Sequence, residues 1–110
     1  MTTPIEQGNT RYPLRPILLV EDNPMDVDLT QRAFAKRHIL NPLEVARDGA
    51  EGVAMARKSP PDLMLLDILL PKIGGFDVCK LLKSDPKVKA IRIVMITGLN
   101  RNADVELAFQ

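Results

Sequence analysis

The 110-residue chain has a single cysteine, Cys79, so it cannot close an internal disulfide, which fits a reducing compartment. Neither sign of charge is in excess: 15 Lys and Arg against 14 Asp and Glu leave a net charge of +1. With no basic stripe either, the electrostatic footprint of a nucleic-acid binder is missing. No apolar run approaches the roughly 20 residues that a membrane span needs. The N-terminal stretch is polar and Pro-containing and lacks the apolar core of a secretory signal. Walker and dinucleotide fingerprints are missing as well, which argues against a nucleotide-binding protein. These absences leave one small cytoplasmic domain. The 45% hydrophobic and 26% charged content is ordinary for such a domain.

Residues 1–15 offer no periodic apolar face and read as a flexible arm, leaving 16–110 as the domain. Ile17-Leu18-Leu19-Val20 is a short apolar run of the kind found in strands buried on both faces. Asn23-Pro24 then supplies an N-cap and a proline suited to the first helical position, which predicts a helix from Pro24 to about His38. Val27, Ala33 and Phe34 form its apolar side. Leu43–Ala46 reads as a second strand, at an edge because of Glu44. A helix over Ala50–Lys58 follows, with Ala50, Val53, Ala54 and Ala56 toward the sheet, and Ser59-Pro60-Pro61 ends it. Leu63–Leu66 is a third strand leading to Asp67. The helix Gly75–Lys83 is expected to bury Phe76, Val78, Cys79 and Leu82. Ile91–Ile96 is a fourth strand leading to Thr97, and Asn102 can cap a last helix from Ala103 to the chain end.

Strands alternating with helices run parallel, with right-handed crossovers. The fold class is therefore α/β, a doubly wound parallel sheet with helices on both faces. Reactive groups in such sheets gather at the carboxyl ends of the strands. Here those ends carry Glu21-Asp22, Asp67 and Thr97. Crowded carboxylates repel one another and call for a cation. Mg²⁺ suits them, since it prefers hard oxygen ligands and keeps several waters. An Asp at such a rim can attack phosphorus, with the metal and a hydroxyl donor steadying the transferring group. Asp26 and Asp28 read as first-turn helix acids, and His38 as a surface residue at a helix end.

Together these residues resemble the response-regulator receivers of two-component signalling, which are flavodoxin-like with strand order 2-1-3-4-5. Glu21-Asp22 matches the acidic pair after strand one and Asp67 the phospho-acceptor after strand three. Pro71 follows four residues later, Gly75 eight and Thr97 thirty, as in the family pattern. The match runs from residue 16 to 110. The resemblance implies that Asp22 and Asp67 ligate Mg²⁺ directly, with Glu21 acting through water and the main-chain carbonyl of Leu69 as a third ligand. It implies that Thr97 bonds the phosphoryl group and acts as the switch. It implies a phosphohistidine donor on a sensor histidine kinase or phosphotransfer protein, and no enzymatic activity beyond self-phosphorylation and self-dephosphorylation at Asp67.

The chain departs from the family pattern at its C-terminal end. The family's fifth strand, its lysine and its fifth helix are not found, and the last lysine is Lys89, before strand four. Strand four is then expected to be an apolar edge, a liability for self-association. Two other readings follow. One is a degenerate receiver serving as a phosphate-independent interaction module. The other is a dehalogenase-like phosphatase, which would need a nucleophile after strand one with a second Asp two residues on, a spacing that Glu21-Asp22-Asn23-Pro24 lacks.

Overall fold

The computed structural model describes residues 14–97 and the strand at 106–109. In chain order the elements are β1 (Ile17–Val20), α1 (Pro24–Lys36), β2 (Leu43–Ala46), α2 (Gly49–Lys58), β3 (Leu63–Asp67), α3 (Gly75–Lys83), β4 (Arg92–Thr97) and β5 (Glu106–Phe109). They form one sheet of order β2-β1-β3-β4-β5. The first four strands are mutually parallel, as the βα alternation predicts. The arm expected over 1–15 lies outside the described residues except for Leu14 and Arg15. Arg15 is tied down, its guanidinium 3.1 Å from Asp62 and its carbonyl accepting from Asn41.

The first two helices each start at a side-chain cap, whereas α3 begins after Gly74 without one. Asn23 accepts a bond from the Met25 N–H at 2.8 Å, one residue past the proline that opens α1. Asp48 accepts from the Glu51 N–H at 2.8 Å, while Glu51 accepts in return from the Arg47 N–H at 2.6 Å. That reciprocal pair is close to a capping box. The end of α1 comes two residues before the sequence suggests. His38 takes φ 59°, its N–H bonds to the Ala35 carbonyl, and the Ile39 N–H reaches back to Phe34. This is the Schellman arrangement, with histidine in the left-handed position that glycine usually fills. Asn23→Ala is expected to cost about 1 kcal/mol by removing the cap of α1, read as a lower denaturant midpoint with an unchanged slope.

The two faces of the sheet are covered unequally. Under α2 and α3 lie Leu18, Val20, Met64, Leu66, Ile93 and Met95, all essentially buried, with Val53, Ala56, Val78 and Leu82 from the helices. The other face packs Leu19, Val94 and Ile96 against Val27 of α1, and leaves Leu43, Val45, Leu63 and Leu65 half-buried.

Several packing expectations change. In α2 the buried stripe is Gly49, Gly52, Val53 and Ala56, while Ala50 and Ala54 face solvent. A Cβ on Gly52 would meet Val20 Cγ2 at 2.8 Å, so the glycine lets α2 lie close to β1. In α1 Ala33 is exposed, and Thr30 is buried beside Val27 with its hydroxyl satisfied by the Asp26 carbonyl at 2.9 Å. Phe76 is 56% exposed, although Val78, Cys79 and Leu82 are buried as expected.

The largest difference lies at the C-terminal end. Residues 106–109 form a strand antiparallel to β4, where the sequence suggested helix. Its register sets Met95 beside Ala108 and Thr97 beside Glu106. The short apolar piece Leu107-Ala108-Phe109 takes up the backbone groups that β4 would otherwise expose, so β4 is an interior strand. The proposed cap at Asn102 and helix start at Ala103 lie outside the described residues.

Candidate functional site

Three of the expected site residues arrive together because β1 and β3 are parallel neighbours in register. Val20 sits beside Leu66, so the residues that follow each strand leave at the same rim. Carboxylate oxygens of Glu21, Asp22 and Asp67 all lie within 4.8 Å of one another. Glu21 is 1% exposed and Asp67 8%, whereas Asp22 faces solvent. The cluster thus has a buried floor and one open side. That arrangement suits an ion held by a few protein oxygens and several waters.

Local bonds fix two of the carboxylates. Glu21 accepts from the Asn23 N–H at 3.1 Å, and Asp67 Oδ1 accepts from the Leu69 N–H at 3.0 Å. The loop after β3 is anchored at both ends. The Ile68 N–H bonds to the Ile96 carbonyl at 3.0 Å, and the Gly75 N–H to the Ile68 carbonyl at 3.1 Å. Gly75 approaches the end of β3 so closely that a Cβ there would stand 2.5 Å from the Asp67 carbonyl oxygen and 2.8 Å from Ile68 Cα. Gly75→Ala is therefore expected to destabilise the fold by roughly 1–3 kcal/mol, as overpacking against backbone does, and to displace the acceptor. Urea unfolding measures the first effect and the phosphorylation rate the second.

Burial pushes the Glu21 carboxyl up to about 8, with the Asp67 and Asp26 charges adding to the rise and the Asn23 N–H opposing it. The site without a cation thus holds a proton in place of one negative charge. A divalent ion at the same place would expel that proton, which is how metal binding couples to ionisation. The cluster is electrostatically incomplete and fits a hard cation.

Asp26, a first-turn acid of α1 within reach of the rim, also belongs to the surroundings of the cluster. It is 6% exposed and close enough to raise the Glu21 value. Its signal in the sequence is its place three residues past the cap Asn23, in the first turn of α1. Thr97 closes β4 one residue beyond Ile96, which is in register with Asp67, so its backbone reaches the same rim. Leu69 is 51% exposed beside the acceptor. Lys89, the last lysine, lies in the link before β4, and its carbonyl accepts from Lys83 Nζ at 3.1 Å. It is therefore at the opposite end of the parallel strands from the carboxylates.

A family model of the response regulator receiver domain matches residues 17–110. The chain belongs to that family. Among its relatives is the response regulator PleD of Caulobacter vibrioides, 36% identical over 88 residues, covering 80% of this chain and 19% of PleD. The chain thus spans about a fifth of the length of that relative. Among solved structures, the bacteriophytochrome response regulator AtBRR is 40% identical with a TM-score of 0.68, covering 78% of this chain and 68% of the other. The phosphorylated cyanobacterial phytochrome response regulator RcpA is 39% identical with a TM-score of 0.66, covering 77% and 66%.

Membership bears out the flavodoxin-like parallel order and the two-component setting read from the sequence. Receivers generally depend on Mg²⁺ and generally work with histidine kinases or phosphotransfer proteins, and the acidic cluster of this chain could hold such an ion. Among the described residues no helix is long and apolar enough to cross a membrane.

Proposed function

We propose that the chain is a cytoplasmic phospho-accepting receiver in which Asp67 takes a phosphoryl group from a histidine kinase with Mg²⁺ at the rim. The observation that carries this reading is the meeting of Glu21, Asp22 and Asp67 within 4.8 Å at the ends of two separate strands. Asp22 and Asp67 would hold the ion through carboxylate oxygens, the Leu69 main-chain carbonyl would add a third, and Glu21 would act through water. The ion neutralises charge on the transferring group. Asp67 supplies the nucleophilic oxygen, and Thr97 would donate a hydroxyl to the phosphoryl oxygens and pass the change to β4. No turnover of an outside substrate is expected beyond loading and hydrolysis of Asp67 itself.

The kinase we infer is of the phytochrome kind, because AtBRR and RcpA are phytochrome response regulators by name and share 40% and 39% identity with this chain. A purified phytochrome kinase should then phosphorylate the chain to different extents in red and far-red light. Equal transfer from an unrelated histidine kinase would remove that inference and leave the receiver role standing.

The direct test is acetyl phosphate with Mg²⁺, followed by intact mass. The expected result is the gain of one phosphoryl group, prevented by EDTA. Absence of any gain, with the fold intact and Mg²⁺ bound, would favour the second reading, a phosphate-independent interaction module.

A further inference from the structure

A second concave site lies at the end of the strands opposite the carboxylates. It is a cleft of about 590 Å³ between the links that lead into β3 and β4. Its floor is apolar, with Pro61, Val88 and Ile91 buried and Leu63 half-buried. Among the described residues its charged lining is one-sided, with Arg15, Lys87 and Arg92 against Asp62. Asp62 is already matched by Arg15, whose Nε lies 3.1 Å from its carboxylate. Lys87 and Arg92 therefore leave an excess of two positive charges above the floor. Asp85, the acid nearest to Lys87 in sequence, lies outside the lining and is bonded by Arg57 at 2.9 Å. The walls are fixed by the fold. Lys83 Nζ donates to the Ile91 carbonyl at 2.6 Å and the Lys89 carbonyl at 3.1 Å, and Arg15 donates to the Pro60 carbonyl at 3.3 Å.

We propose that this cleft binds a small organic dianion with an apolar body, the body resting on Leu63, Val88 and Ile91 and the charges set between Lys87 and Arg92. The volume falls within the range of small-molecule sites, about 300–1,000 Å³, and such sites combine an apolar lining with a few polar groups that fix orientation. An extended acidic peptide fits less well. It would need backbone groups to pair with, and those beside the floor are engaged. The Arg92 N–H bonds to the Asp62 carbonyl at 3.2 Å and the Ile91 N–H to the Val88 carbonyl at 3.1 Å. A bare inorganic anion would use the two charges and leave the floor uncovered.

This inference does not rest on the phosphoryl chemistry. Leu63 and Asp67 stand at the two ends of β3, roughly 13 Å apart at the usual rise of a strand. Naphthalene disulfonate is a suitable probe, because it is permanently doubly charged and carries no phosphoryl group for Asp67 to accept. Titrated in low salt and EDTA into the 110-residue chain, it should shift the backbone amide NMR signals of Leu63, Val88, Ile91 and Arg92 and leave that of Asp67 in place. The shifts should saturate with a Kd below about 1 mM and weaken as salt is added. Arg92→Gln and Lys87→Gln should each raise the Kd by about threefold, the scale of an exposed charge contact. Both side chains are exposed, and the remaining amide signals report whether each variant keeps its fold. Naphthalene monosulfonate and inorganic sulfate should both bind more weakly than the disulfonate. Shifts that fail to saturate overturn the proposal, and so does binding that neither variant weakens. Sulfate binding as tightly as the disulfonate would mean an adventitious ion only and would overturn it too.

Discussion

Asp67→Asn is expected to lower phosphoryl incorporation from acetyl phosphate by at least about a thousandfold, the scale of deleting the nucleophile of a covalent mechanism. The amide is nearly the same size as the carboxylate. Its carbonyl oxygen can still accept from the Leu69 N–H, the bond that orients Asp67 at 3.0 Å. The fold should therefore survive, and only the anionic oxygen that attacks phosphorus is lost. The same change removes one charge from the cluster with Glu21 and Asp22, so Mg²⁺ affinity falls too. Asp22→Asn separates the two effects, because Asp22 is a ligand in this scheme and not the acceptor. It should raise the Mg²⁺ concentration needed for labelling and leave the labelled residue unchanged. Intact mass and peptide mapping read both results. An Asp67→Asn chain that still gains the phosphoryl mass would take Asp67 out of the acceptor role.

Much of the frame behind that scheme is written in local patterns. The apolar runs at 17–20 and 63–66 are short and uninterrupted, and each is followed directly by carboxylates. In a parallel sheet that suffices to bring Asp22 and Asp67 to one rim. Side-chain direction on the helices was harder to read, because glycines and hydroxyls do not register as apolar. The α2 stripe at 49, 52, 53 and 56 has good helical spacing, but two of its members are glycines, chosen for close packing on Val20 and Ile73. Thr30 is buried because its hydroxyl finds a carbonyl four residues back, a bond the sequence does not announce. Phe76 lies about 200° around the helix from Val78, which turns it away from the sheet despite its apolar ring. The strand at 106–109 was illegible for a different reason. Its conformation is set by the unsatisfied edge of β4, a tertiary demand that local propensity does not encode.

Glu21 makes the stability of the metal-free protein depend on pH, with a sign opposite to that of a salt-bridged acid. Its carboxyl is raised from 4.5 to about 8 in the folded state, mainly by burial and secondarily by Asp67 and Asp26. Between those two values the folded chain holds a proton that the unfolded chain has released. Stability is then fully present below the unfolded value and falls as pH rises, by up to about 1.4 kcal/mol per pH unit. The loss levels off above the folded value, a few kcal/mol in all. Glu21→Gln mimics the protonated form, so its urea midpoint should vary much less from about pH 5 to about pH 8 and should exceed that of the parent chain at the upper end. Saturating Mg²⁺ should have the same flattening effect on the parent by favouring the ionised cluster, and its stabilisation should grow with pH. These three curves distinguish a cation site from a merely buried acid. A parent chain whose midpoint rises with pH in EDTA would mean that Glu21 is ionised in the fold, and the electrostatic case for a cation at this rim would fail with it.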